Sequence, residues 1–199
     1  MLTRNLRVLK TEAGFTLVEL MVTIALVVVI GLTFFLFFQS NSTNYLSIQK
    51  DSTSMTTLSA QATRVANVVR SLTGIVSADN NDLIIYAYFY PSDAYVSKLH
   101  YYIAGGQLRA DMTLMTANPP TGTPITTSTK TYVIVPSFYQ PTGTNLFNYY
   151  DSGNVLLTAP VSDTNTIKMI QVNMATNLTG TANQQLNVQI SLRNRKTNL

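Results

Sequence analysis

The sequence predicts an α+β protein: a long N-terminal α-helix, membrane-spanning in its first half and amphipathic in its second, packed on an antiparallel β-sheet head. Three observations carry this. Residues 15–38 form an apolar run of 24 residues without a Lys or Arg. Apolar residues then recur at helical spacing as far as Leu72, with no Pro to break the helix. From Asp82 onward the chain changes to short alternating segments divided by Gly, Pro, Asn and Asp, the pattern of strands and turns.

A 24-residue apolar helix rises about 36 Å, enough to cross a hydrocarbon core of ~30 Å with some tilt. Beyond Phe38, Ile48, Met55, Ala62 and Val69 recur every seven residues, and Leu58, Val65 and Leu72 form a second series. Together they make one apolar stripe on a polar helix, the face expected to pack on the chain's own sheet. Gly74 follows the last stripe residue and is expected as the C-cap. A single helix over 15–73 would be about 88 Å long, more than a soluble domain of this size needs.

Strands are expected where apolar and polar residues alternate. Leu83–Tyr90 places Ile85, Ala87 and Phe89 on one face and Tyr86, Tyr88 and Tyr90 on the other, and Pro91 ends it. Leu99, Tyr101 and Ile103 lead through the two-residue turn Gly105-Gly106 into Leu108, Ala110 and Met112. Residues 116–131 read as an exposed loop, and Tyr132–Val135 as a strand. Phe147–Tyr150 and Val155–Leu157 read as a hairpin around Asp151-Ser152-Gly153-Asn154. Ile167–Met174 pairs with a last strand in which Leu186, Val188, Ile190 and Leu192 alternate with Asn187, Gln189, Ser191 and Arg193.

Composition narrows the function. The chain has no Cys, which excludes a disulfide framework, thiolate metal ligation and cysteine catalysis. Charged residues are only 11% of the chain, and the formal net charge of +4 owes half its value to Arg4, Arg7, Lys10 and Glu12. The rest of the chain is close to +2, thin support for a nucleic-acid partner, which needs Lys and Arg clustered on one face. The head is polar and weakly charged, as suits an external surface.

The decisive residue is Glu19, an acid five residues into the apolar run. An acidic side chain at mid-membrane costs roughly 2.5 to 3.5 kcal/mol, less near the ends, so such a residue is by default functional and in search of a cation. With no basic residue in the run, the partner is another chain or a terminal amine. Arg4, Arg7 and Lys10 in front of the run favour a cytoplasmic N-terminus. A secretory signal peptide also starts this way, but its apolar region is ~7 to 15 residues with a small-residue cleavage site behind it; this run is longer and has none there. The apolar segment is expected to be kept, with everything after it outside the cytoplasmic membrane. The plainer alternative is an ordinary single-pass anchor with a stray glutamate.

At Gly14-Phe15-Thr16-Leu17-Val18-Glu19-Leu20 the sequence resembles the type IV pilin and type II secretion pseudopilin superfamily. The resemblance implies a leader peptide over 1–14, cleavage by a prepilin peptidase between Gly14 and Phe15, and N-methylation of Phe15. It implies that Glu19 pairs with the N-terminal amine of a neighbouring subunit. The domains expected are then the leader, a helix over 15–73 with its transmembrane segment at 15–38, and a β-rich globular head over 74–199. Partners would be the prepilin peptidase, other pilin or pseudopilin subunits and the inner-membrane assembly platform. The protein would sit in the cytoplasmic membrane, leader inside and head outside, then in an extracellular or periplasmic filament. The second half, through Leu99-x-Tyr101, Gly106-x-Leu108-Arg109, Phe147-x-Tyr149-Tyr150-Asp151 and Ile190-Ser191-Leu192-Arg193-Asn194, is similar to PilW-type minor pilins and J-type pseudopilins. That implies a minor subunit, at the tip or priming assembly. Many pilins staple the C-terminal region with a disulfide; this chain departs from that pattern.

Other candidates have plainer explanations. His100, the single histidine, falls in a predicted strand with no catalytic companion. Asp79-Asn80-Asn81-Asp82 and Asp151-Ser152-Gly153-Asn154 offer the hard oxygens calcium prefers, with Asp79, Asp82, Asp151 and Asn154 as candidate ligands, but lack EF-hand spacing and read more simply as turns. Tyr86, Tyr88, Tyr90, Tyr101 and Tyr102 could stack single-stranded DNA, but only Lys98 and Arg109 lie nearby to attract phosphate. An adhesin or DNA-uptake module carried on a filament is the alternative function. No cofactor motif and no catalytic constellation is present, so a structural, non-enzymatic subunit is expected.

Overall fold

A computed structural model describes residues 14–177 and 183–192. The expectations for Arg193 and Asn194, and for the leader up to residue 13, lie outside the described residues. Helix α1 runs Leu17–Arg70, and the chain divides into two compact units, Met1–Leu46 and Ser47–Leu199. In the first unit the large apolar side chains of the helix, Leu17 to Phe38, are exposed, a surface that lipid or another chain's helices could cover. Thr23 and Thr33 turn their hydroxyls back onto the helix, to Glu19 O at 2.7 Å and Ile30 O at 2.8 Å, so neither is left unsatisfied in an apolar setting.

The second unit is the head. Its strands are β1 (Gly74–Ala78), β2 (Asp82–Ala87), β3 (Ser97–Ala104), β4 (Gln107–Leu114), β5 (Lys130–Val135), β6 (Phe147–Tyr150), β7 (Leu156–Leu157), β8 (Met169–Thr176) and β9 (Gln184–Ser191). They form two antiparallel sheets: a five-stranded meander β1-β2-β3-β4-β5 and a four-stranded sheet of order β7-β6-β8-β9. The architecture is α+β, a long helix on antiparallel sheets. The β3–β4 turn needs both its glycines, since Gly105 and Gly106 have φ of 59° and 69°, as a two-residue turn of primed type requires.

Two expectations are corrected. Gly74 is not a C-cap: it opens β1, paired with Tyr86. The helix closes instead by tightening, with Ser71 N–H shared between Asn67 O (3.2 Å) and Val68 O (3.0 Å) and Leu72 N–H bonded to Val69 O (3.2 Å). Thr73 N–H then bonds Tyr86 O at 2.8 Å, which draws the chain into the sheet. The apolar stripe is also shorter than its heptads suggest. Leu58, Ala62, Val65, Val69 and Leu72 are buried, but Ile48 is 68% exposed and Met55 only half-buried, because the sheets cover the helix from about Ser54 onward.

The core joins helix and sheets through Leu83, Ile85, Leu99, Tyr101 and Leu108 of the first sheet and Phe147, Tyr149, Ile170, Val172 and Ile190 of the second. The turn between β1 and β2 fastens one sheet to the other. Tyr149 Oη donates to Asp79 O at 2.7 Å, Phe147 N–H to Asn80 O at 2.9 Å and Leu146 N–H to Asn81 Oδ1 at 3.1 Å. These bonds satisfy buried polar groups that a purely apolar joint would leave unpaired.

The buried tyrosines imply sensitivity to alkali. Burial pushes the Tyr101 phenol up, opposed only by Arg64, and pushes Tyr149 up further, helped by the nearby Asp79 and Asp82 carboxylates. In the unfolded chain both titrate near 10. Below pH 10 both states hold the protons and stability is level. Above it only the unfolded chain releases them, so stability should fall by about 1.4 kcal/mol per pH unit for each tyrosine. Urea midpoints of the head should therefore be flat from pH 7 to 9 and drop between 10 and 11.5; Tyr149→Phe should roughly halve that slope.

Candidate assembly site at the start of the helix

The site begins with a helix N-terminus built by two residues. Thr16 is the N-cap: its Oγ1 accepts from Glu19 N–H at 3.2 Å. Glu19 reaches back, its Oε2 accepting from Thr16 N–H at 3.0 Å and from Thr16 Oγ1 at 3.0 Å. This is a reciprocal capping box, and its sequence signature, Thr-x-x-Glu before an apolar run, was readable but not used above. Its consequence is chemical. The carboxylate is satisfied by its own chain, at the positive end of the helix dipole, with no cation against it among the described residues.

Gly14 and Phe15 precede the helix without regular structure and are exposed, Phe15 at 76%. A Cβ placed on Gly14 would meet nothing within 4 Å. No packing among the described residues demands glycine there. Gly14, Phe15 and Glu19 thus lie within one exposed stretch at the head of a helix long and apolar enough to cross a membrane.

The remaining candidates are used structurally. Asp79 Oδ1 accepts from Asn80 N–H at 2.7 Å, and Asp151 Oδ1 from Gly153 N–H (2.8 Å) and Val155 N–H (2.9 Å), with Asn154 at φ 62°. The Asp151 bonds form an Asx-type turn. Among the described residues no three His, Asp or Glu side chains converge as metal ligands. His100 Nε2 meets Asp82 Oδ2 at 2.6 Å on the outer face of the first sheet, a partly exposed pair. The tyrosines do not share one surface. Tyr101 is 1% exposed in the core, while Tyr86 and Tyr102 stand half-buried on the sheet's other face. The sequence reading missed a stacked cation nearby, Arg64, whose guanidinium lies 5.0 Å from the Phe89 ring centroid and 5.8 Å from that of Tyr132. Neither pair is close in sequence, so nothing in the pattern signalled it.

A helix long and apolar enough to cross a membrane, opening on a capped acid and followed in the chain by a β-rich head, suggests a single-pass membrane anchor. Residues 9–35 match the family model for the prokaryotic N-terminal methylation motif. The chain therefore carries the prepilin signature of type IV pilins and pseudopilins, and its fold is consistent with that of a pilin. No curated protein matches it.

Proposed function

We propose that this chain is a structural, non-enzymatic subunit of a type IV pilus or related pseudopilus-like filament, cut by prepilin peptidase between Gly14 and Phe15. The leader is 1–14, the mature helix 15–73 and the head 74–199. The observation that carries this reading is Glu19 itself, a carboxylate in an apolar run that holds no Lys or Arg. Cleavage creates an ammonium at Phe15, to be methylated. A neighbouring subunit's ammonium and Glu19, brought together where water is scarce, attract strongly, whereas either alone there is costly. The pair sets the axial register of the packed helices. Before assembly the Thr16 bonds hold the carboxylate and lower the cost of keeping it in the membrane. The leader's positive charges support an orientation with the head outside the cytoplasm. The head's lack of cysteines supports a minor subunit, at the tip or priming assembly, over one that bears load along the fibre.

Because no packing among the described residues requires Gly14, a bulky side chain there reports on the peptidase and not on folding of the head. The Gly14→Val chain should accumulate uncleaved, read by intact mass, while the parent chain starts at Phe15. A Gly14→Val chain that still begins at Phe15, or a parent chain that keeps Met1 while the filament machinery runs, overturns the cleavage assignment.

A further inference from the structure

A helix that continued across the Gly14–Phe15 bond would join each N–H to the carbonyl four residues earlier. Glu19 N–H would then bond Phe15 O, and Thr16 N–H would bond Glu12 O. Both donors are already used. Glu19 N–H goes to Thr16 Oγ1 at 3.2 Å, and Thr16 N–H goes to Glu19 Oε2 at 3.0 Å. Leu20 N–H bonds Thr16 O at 3.1 Å as the helix begins, its first residue is Leu17, and Gly14 and Phe15 lie outside it, exposed. The reciprocal pair thus takes away one helical bond on each side of Gly14–Phe15.

The residues upstream would otherwise carry the helix on. Thr11 is the next residue of capping type, and Glu12 and Ala13 behind it are good helix formers. A helix started at Thr11 would run through Gly14 and Phe15; a single glycine resists this but does not end a helix. Inside such a helix the Gly14 carbonyl would be bonded by Val18 N–H and shielded by the adjoining turns. Outside it, the carbonyl is open to attack, and the chain on either side can offer its backbone groups to a peptidase groove. Where opening and closing are fast, cleavage follows the fraction of chains in which the bond lies open.

We propose that Thr16 is a positioning residue for processing: with Glu19 it holds the Gly14–Phe15 bond outside the helix, where prepilin peptidase reaches it. This rests on the cleavage reading above and not on the filament's type. Thr16 acts through the backbone, by deciding where the helix starts. Glu19 then serves twice, first as half of the capping box in the precursor and afterwards as the acid for a neighbouring ammonium.

The test follows cleavage of full-length precursors in membranes containing the peptidase, as a time course read by intact mass. Thr16→Ser and Thr16→Asn keep a side-chain oxygen that caps, whereas Thr16→Val keeps the shape of threonine and loses the hydroxyl. Thr16→Val should be cut about two- to five-fold more slowly than the parent, the range that loss of one N-cap allows. Thr16→Ser and Thr16→Asn should be cut at close to the parent rate. A second readout is hydrogen exchange of the full-length chain in micelles without peptidase. There the Phe15 amide should exchange more slowly in Thr16→Val, because a continued helix bonds it to Thr11 O. Thr16→Val cut as fast as the parent overturns the proposal. Slower cutting of Thr16→Val with unchanged Phe15 exchange puts Thr16 in direct contact with the peptidase, and overturns the positioning role. A parent chain that is never cut overturns the cleavage reading, and this inference with it.

Discussion

Glu19→Val is expected to reduce incorporation into filaments by about 100-fold or more while leaving at least as much protein in the membrane. Removing one member of a buried charge pair strands the other, at a cost of roughly 3–5 kcal/mol, and 1.4 kcal/mol is a factor of ten. Membrane insertion moves the other way, since an acid in an apolar helix disfavours it. The capping box complicates the substitution, because valine also removes the bonds to Thr16, at about 1 kcal/mol. Two companions separate the effects. Glu19→Gln keeps an oxygen able to accept from Thr16 but has no charge, and should assemble as poorly as Glu19→Val. Thr16→Ala loses the cap and keeps the charge, and should lose only a few-fold. The ratio of sheared filament to membrane fraction, read by immunoblot, measures all three; unchanged incorporation of Glu19→Gln would remove the ion pair from the account.

Phe147→Ala is expected to lower the melting temperature of the head by roughly 6–20 °C. Phe147 is 1% exposed, with ring centroids 6.4 Å from both Tyr101 and Tyr149, so it lies where the two sheets meet. Truncating a buried Phe to Ala costs about 3–5 kcal/mol, from lost transfer energy and from the cavity left behind. For a domain of this size each kcal/mol shifts the melting point by roughly 2–4 °C. No disulfide limits the loss, because the chain has no Cys. Leu156→Ala, at an exposed site, should change it by about 1 °C. Circular dichroism of residues 47–199, a compact unit with the core inside it, reads both. A shift under 3 °C for Phe147→Ala would mean the sheets are not joined through this ring.

Elements set by near neighbours were legible. The β3–β4 hairpin follows from alternation and Gly105-Gly106, and the β6–β7 hairpin from Asp151 and Asn154. β1 was missed, because five residues with one Gly and two small residues carry little strand signal until β2 lies beside them. The heptad reading ran past its evidence at Ile48 and Met55, since spacing says which side of a helix is apolar but not how far a sheet extends over it. Glu19 stood out as a candidate for the opposite reason: a carboxylate in an apolar run is anomalous wherever the rest of the chain goes.

The chain's order of residues alone was enough for the long helix, its apolar first half, the acid at residue 19 and a head of antiparallel strands. Each of these rests on local periodicity or on a charge in the wrong solvent. Folding decided the division into two sheets, the order β7-β6-β8-β9 and the use of residues 79–82 as the joint. Those depend on pairings between strands far apart in the chain. Alternating residues show that a strand has two faces, but the partner along its edge is chosen only when the core closes.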